Sequence, residues 1–147
     1  SATRFAPAEV WENRNPWLVN RVELIKDSGG AGKYRGGLGV NLEFTMLEDS
    51  YATTVCERTL LPPWGLNGGK EGLANNCYVI EEDEKVLAKP KATRVHVKKG
   101  NRVLIQCGGG GGYGNPAERN YDKVIDDYKQ EYISKEYVNK FHPEVKI

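Results

Sequence analysis

Long apolar runs are missing from this chain of 147 residues, and so is an excess of either charge. No stretch approaches the roughly 20 apolar residues of a membrane-spanning helix, and no short apolar core follows basic residues at the start. Twenty-one Lys and Arg stand against twenty Asp and Glu, a net charge of +1. That balance lacks the electrostatic footprint of nucleic-acid or acidic-membrane binding. Cysteine is scarce: Cys56, Cys77 and Cys107 are an odd number, widely spaced, with no CxxC pair. The pattern fits reduced, buried and inert thiols in a cytoplasmic protein, and it lacks the close-spaced ligand pairs of structural zinc. The chain opens on Ser1 rather than Met, consistent with a trimmed initiator or with a piece of something longer.

What is abundant is glycine, 17 in all, and it is clustered. Asp27-Ser-Gly-Gly-Ala-Gly-Lys-Tyr-Arg-Gly-Gly37 forms one loop, and Gly108 through Gly112 form an unbroken run leading to Tyr113-Gly-Asn-Pro116. Five glycines in succession open dihedrals closed to other residues at a cost in ordering entropy. Such a run is either a loose tether or a place where a ligand or another chain approaches the backbone closely. The strand-like Arg102–Cys107 before it and the turn and helix start after it argue against a tether.

The remaining pattern predicts one domain over residues 1–147, α+β but mainly β. An irregular arm over 1–16, holding Pro7 and Pro16, precedes a β body over 17–107. A glycine-rich turn over 108–116 then leads to a helical tail over 117–142. The body is expected to be an antiparallel sandwich or barrel-like. Leu18, Val22 and Leu24 share one face of its first strand. Leu38, Val40, Leu42, Phe44 and Met46 alternate with mostly polar or small residues, a half-buried strand. Glu48-Asp-Ser50 turns this strand back into Tyr51–Glu57 as a hairpin. Strands follow at Cys77–Ile80 and around Val86-Leu87. A second hairpin joins Thr93–Lys98 to Arg102–Cys107 through Lys99-Gly-Asn, with Val95, Val97, Val103, Ile105 and Cys107 facing the core. Asn115, Pro116 and Glu118 read as cap, first-turn proline and capping-box acid of a helix carrying Tyr121, Val124, Ile125, Tyr128 and Tyr132. Ser134 caps a second short helix that Pro143 stops.

Residues 58–75 cannot form a regular element, because two prolines and several glycines forbid it. Yet Leu60, Leu61, Trp64 and Leu66 are too apolar for free solvent, so the loop is expected to be docked or functional. Trp64 is either a contact for another chain or a plug for the domain's own core, and Pro-Pro-Trp-Gly favours the contact. Arg58 can hold an anionic substrate or a partner carboxylate, or pair with neighbouring Glu57 to fix the loop.

Nucleotide motifs fail on inspection. Gly32-Lys33 would need glycine at position 27 and Ser or Thr at 34, where Asp27 and Tyr34 stand. Gly109-x-Gly111-x-x-Gly114 matches a dinucleotide fingerprint only because a glycine run matches nearly any glycine pattern, and no second parallel strand follows. His96, between inward valines, is expected to face outward, and His142 lies near a fraying end. No catalytic residue and no metal ligand can be named from the residues themselves.

Three motifs in order, Asp27 to Gly39, Glu57-Arg58 with Pro62-Pro-Trp-Gly-Leu-Asn-Gly-Gly69, and Gly108 to Pro116, resemble the closing portion of hydantoinase B proteins. The resemblance runs from about Asn15 to Phe141. That family includes B components of ATP-dependent hydantoinases and 5-oxoprolinases and related subunits of acetone and acetophenone carboxylases. It implies a non-autonomous subunit, most like the small subunit of an acetophenone carboxylase-type complex that joins a bicarbonate-derived carboxyl group to an activated aromatic ketone. An ATP-dependent hydantoinase or 5-oxoprolinase-type amide hydrolase is the alternative within the family, and a non-catalytic β-rich binding module the alternative outside it. The implied partners are hydantoinase A-like ATP-binding subunits, holding ATP with Mg or Mn, and a shortened hydantoinase B-like large subunit. A mixed Cys and His zinc site would require the three cysteines to converge, and the ligand spacing does not support it. Partner or substrate contact would fall on Arg58, Trp64, Gly109, Gly110, Gly111, Gly112 and Tyr113. Whether the glycines touch substrate or only a partner stays open at this level.

Overall fold

The computed structural model describes residues 6–82, 84–87 and 90–147. Helix α1 (Ala8–Arg14) precedes seven strands: β1 (Trp17–Leu24), β2 (Val40–Met46), β3 (Ser50–Val55), β4 (Asn76–Glu81), β5 (Glu84–Leu87), β6 (Lys91–Val97) and β7 (Arg102–Cys107). A single 3-10 turn over Pro116–Glu118 leads to α2 (Tyr121–Lys129) and α3 (Lys135–Phe141). The residues gather into two compact units, neither continuous in sequence. The first takes Ser1–Val22, Leu42–Cys56 and Asn76–Ile105, and the second Glu23–Asn41, Glu57–Asn75 and Gln106–Ile147.

The first unit is built on an open sheet in the order β1-β2-β7-β4-β5, with β3 and β6 forming a separate antiparallel ribbon. The mainly β reading with C-terminal helices therefore holds, and the sheet is open rather than closed into a barrel. Its core joins Leu42, Phe44 and Met46 of β2 to Val79, Val97 and Val103, with Trp17, Ala52, Val95 and Ile105 packed around them. Trp17 stacks on Phe44 with ring centroids 4.8 Å apart. The alternation expected of β2 is thus the one that builds the core.

Both expected hairpins are replaced by other pairings. β2 lies between β1 and β7, so neither of its edges is free to receive β3. β7 lies between β2 and β4, which likewise turns β6 away to pair with β3. The turn before β7 exists, with Gly100 at φ +86° and Asn101 N–H donating to Lys98 C=O at 3.1 Å, but it joins two different sheets. In β1 the face shared by Leu18, Val22 and Leu24 is the exposed one, while Trp17 and Val19 turn to the core. Cys107 is exposed rather than inward.

The arm expected to be irregular contains α1; its first five residues lie outside those described. Pro7 stands just before the helix, Asn15 ends it in extended geometry by donating to Trp11 C=O at 3.0 Å, and Pro16 prevents continuation. Trp11 packs against the core, and the Glu12 carboxylate accepts the Val19 N–H at 2.8 Å. Tertiary packing thus stabilises a helix too short to persist alone.

In the second unit, Val124, Ile133, Tyr137, Val138 and Val145 enclose Ala31, with Ile125, Phe141 and Ile147 against them. Asn115 caps only the 3-10 turn, since Arg119 is extended and breaks the run. Asn120 then caps α2, and Tyr132 falls beyond its end, where Glu131 takes φ +60°. Ser134 caps α3 as expected, accepting Tyr137 N–H at 3.0 Å.

Candidate functional site

Three irregular segments of the second unit, around residues 28–37, 64–74 and 108–114, lie against one another and hydrogen-bond in all three pairwise combinations. Gly30 N–H donates to Gly110 C=O at 2.9 Å, and Gly110 N–H donates to Gly37 C=O at 2.8 Å. Gly109 N–H donates to Leu73 C=O at 3.1 Å and Gly112 N–H to Lys70 C=O at 2.9 Å. Lys70 N–H donates to Ala31 C=O at 2.7 Å, closing the triangle. Tyr34 and Tyr113 exchange N–H to C=O bonds at 2.9 Å in both directions.

Proximity explains the glycines. A Cβ on Gly30 would lie 2.1 Å from Lys70 C=O, and one on Gly112 would lie 2.2 Å from Ala31 C=O. None of Gly108 to Gly112 sits in the left-handed region, so the dihedral freedom that a glycine run offers is not what it uses. The close approach anticipated from the sequence is made by the chain's own loops. Gly109 and Gly112 are buried by them, Gly110 and Gly111 partly so. Tyr113 is half-exposed, and its hydroxyl accepts from Asn67 Nδ2 at 2.7 Å.

Arg58 and Trp64 come together on the adjoining loop. The guanidinium carbon lies 4.9 Å from the centroid of the Trp64 ring, a cation–π contact. Arg58 takes φ +54°. Asn75 fixes this bend from the other side, its N–H donating to Arg58 C=O at 3.1 Å and its Nδ2 to Glu57 C=O at 2.8 Å. Trp64 remains 64% exposed, so it does not plug this chain's core.

Trp64 also borders a cavity of about 840 Å³ walled by Gly29, Ala31, Gly65, Gly69, Leu73, Tyr137 and Phe141, with Lys70, Glu71 and Lys140 at its lining. Tyr137 O–H donates to Gly29 C=O at 2.9 Å, and burial pushes the pKa of this hydroxyl up to about 12. Beneath the glycine segments Asp127 is held by two arginines. Arg35 gives it Nε and Nη2 at 2.9 and 3.1 Å, and Arg119 gives Nη2 at 2.7 Å. Sequence reading missed this triad. Its one signal was Asp127 three residues after inward Val124, a carboxylate on the apolar stripe of a helix.

His142 is a correction. It is 1% exposed rather than frayed, and burial lowers its pKa below the usual 6.5. His96 is exposed as expected and lies 3.7 Å from Asp49. Cys56 and Cys77 are half-buried; burial and the neighbouring Cys56 push the Cys77 thiol up, away from nucleophilic use. Among the described residues no group of three His, Cys, Asp or Glu side chains could hold a metal ion. Nor is any described helix long and apolar enough to cross a membrane.

The chain is similar to several known proteins. The family profile of Hydantoinase B/oxoprolinase matches residues 1–116. A Pseudomonas protein described provisionally as the B component of a D-/L-hydantoinase is 35% identical over 136 residues, which is 91% of this chain and 23% of that protein. The crystal structure of the ATP-dependent caprolactamase from Pseudomonas jessenii superposes with a TM-score of 0.86 at 27% identity, covering 96% of this chain and 25% of that one. A nucleotide-free acetone carboxylase shares the fold at a TM-score of 0.76 and 19% identity, over 92% of this chain and 22% of that one. The chain spans 23% of the length of two of the curated relatives it matches, and 8% to 10% of several others. With most of its residues matched by the family profile and three motifs placed in one cluster, the chain belongs to the hydantoinase B/oxoprolinase family.

Proposed function

We propose that the chain is one portion of a hydantoinase B-type component acting in an ATP-dependent complex that opens a cyclic amide. The observation that carries this reading is the superposition of 96% of the chain on the caprolactamase, supported by the identity to the hydantoinase component. Among the described residues we identify no nucleophile with a base and no paired acid and base at the cluster. The N–H groups of Gly30, Gly109, Gly110 and Gly112 are already bonded to carbonyls, which leaves those four unfit for a phosphate cradle. ATP and its divalent Mg or Mn are therefore assigned to a hydantoinase A-like partner, and catalysis to the assembled complex. Arg58, Trp64 and Tyr113, all exposed, are the residues of this chain proposed to meet a partner or substrate.

A second reading follows the motif resemblance and the acetone carboxylase fold: bicarbonate-dependent carboxylation of an aromatic ketone of the acetophenone class. One experiment separates the two. The chain is co-expressed with a hydantoinase A-type subunit and the remaining hydantoinase B-type portion, and ATP-dependent turnover of hydantoin, 5-oxoproline and caprolactam is assayed with and without bicarbonate. Bicarbonate-independent ring opening supports the first reading. Formation of a β-keto acid from acetophenone that requires bicarbonate supports the second. Turnover by the isolated chain overturns both.

A further inference from the structure

From Thr59 to Gly69 the chain carries no charged side chain. Within this stretch Leu60 is 90% exposed, Leu61 78%, Trp64 64% and Leu66 56%. A surface loop of a free protein is normally salted with charge, and a run of large apolar side chains marks a contact surface. The loop is also held in shape without any companion. Gly72 N–H donates to Pro63 C=O at 2.9 Å, Leu66 N–H donates to Gly112 C=O at 2.9 Å, and the Arg58 guanidinium backs the Trp64 ring. A rigid apolar ridge loses little entropy on docking, and a tryptophan flanked by an arginine is the composition of an interface centre.

The geometry points to one occupant: the ridge Leu60, Leu61, Trp64 and Leu66 seats in the portion of a hydantoinase B-type polypeptide that this chain does not span. This rests on the family reading above. The chain spans only 23% of two such relatives, so most of a unit of that kind lies outside the matched portion. The chemistry expected of the receiving surface is an uncharged apolar groove. An acidic residue at its rim would meet Arg58.

The test uses the co-expressed complex. Leu61 is replaced by the photocrosslinker p-benzoylphenylalanine, the complex is irradiated, and the adduct is identified by mass spectrometry. A crosslink to the remaining hydantoinase B-type portion is expected. A crosslink to the hydantoinase A-type subunit or to a second copy of this chain overturns the inference, as does failure of any complex to form. In parallel, the double variant L60D/L61D should weaken association with that portion at least 100-fold. The melting temperature of the isolated chain should be unchanged, because both side chains are exposed. Unchanged association overturns the docking site even if the complex hydrolyses amides. A complex that crosslinks as expected but turns over no amide retains the docking site and removes the proposed reaction.

Discussion

Arg35 grips Asp127 through two parallel hydrogen bonds, joining the first glycine segment to α2 across 92 positions of sequence. The pair is fork to fork, and Arg119 adds a third bond to the same carboxylate. Removing the carboxylate leaves two largely buried guanidinium groups without their anion, which costs more than the pair contributes when intact. Asp127→Ala should lower unfolding free energy by about 3 kcal/mol, and Asp127→Asn by less, since the amide oxygen still accepts a bond. Urea denaturation of both variants checks the order.

The glycine cluster makes a sharper contrast. Gly112→Ala places a methyl carbon 2.2 Å from Ala31 C=O, a main-chain atom that cannot swing aside. Gly37→Ala meets nothing within 4 Å. We expect Gly112→Ala to destabilise by about 3 kcal/mol or more, and Gly37→Ala to change stability by no more than about 1 kcal/mol. Thermal melts of the two proteins decide this. Equal losses would mean that the close main-chain approach is not what selects glycine.

Glu43 sits 4% exposed in the middle of β2, a charged residue among core positions. Burial alone would raise its pKa, but hydrogen bonds and charge from Arg21, with a bond from Arg102, outweigh that and hold it below the usual 4.5. The arginine contacts are 2.8 Å each. Because the folded value is the lower one, this stabilisation is present above pH 4.5 and is lost as pH falls through the folded value. Glu43→Gln should cost roughly 2 kcal/mol at neutral pH and flatten the acid limb of the stability profile. Denaturation midpoints at about pH 3.5 and pH 7 in both proteins measure the difference.

His142 works in the opposite half of the scale. Burial first, and Arg119 beside it, favour the neutral ring, against the pull of Glu144 and Asp127 and a bond to the Pro116 backbone. The unfolded chain binds the proton more readily, so stability is complete above the usual 6.5 and falls as pH drops below it. NMR titration of the His142 ring should give a midpoint below 6.5. His142→Gln should reduce the loss of stability between about pH 7.5 and pH 5.5.

Much of this architecture is legible in the sequence where a local rule decides. The alternation of Leu42, Phe44 and Met46 gives β2, and Ser134 marks the start of α3. Pairing is less legible, because Glu48-Asp-Ser50 reads as an acceptable turn whichever strand comes next. Only the occupation of both edges of β2 and β7 turns β3 and β6 toward each other. For β1, Leu18, Val22 and Leu24 outweigh Trp17 and Val19 in number, yet the tryptophan stacks on Phe44 and sets the face. The site divides in the same way. Glycine content announces close approach, but neither composition nor spacing says that three separated segments supply it to one another. The Asp127 triad depends on contacts 92 positions apart, beyond any periodicity.

The meeting of the three glycine segments has a consequence for anyone who would re-engineer this protein. In an ordinary hydrophobic interior, side chains of different sizes can be traded against each other until the volume is restored. Here carbonyls rest directly on α-carbons, and there is nothing to trade. The assembly is chemically blank and mutationally brittle, so new specificity would have to be written on its rims, at Tyr34, Arg58, Trp64 and Lys70, while the centre is left untouched.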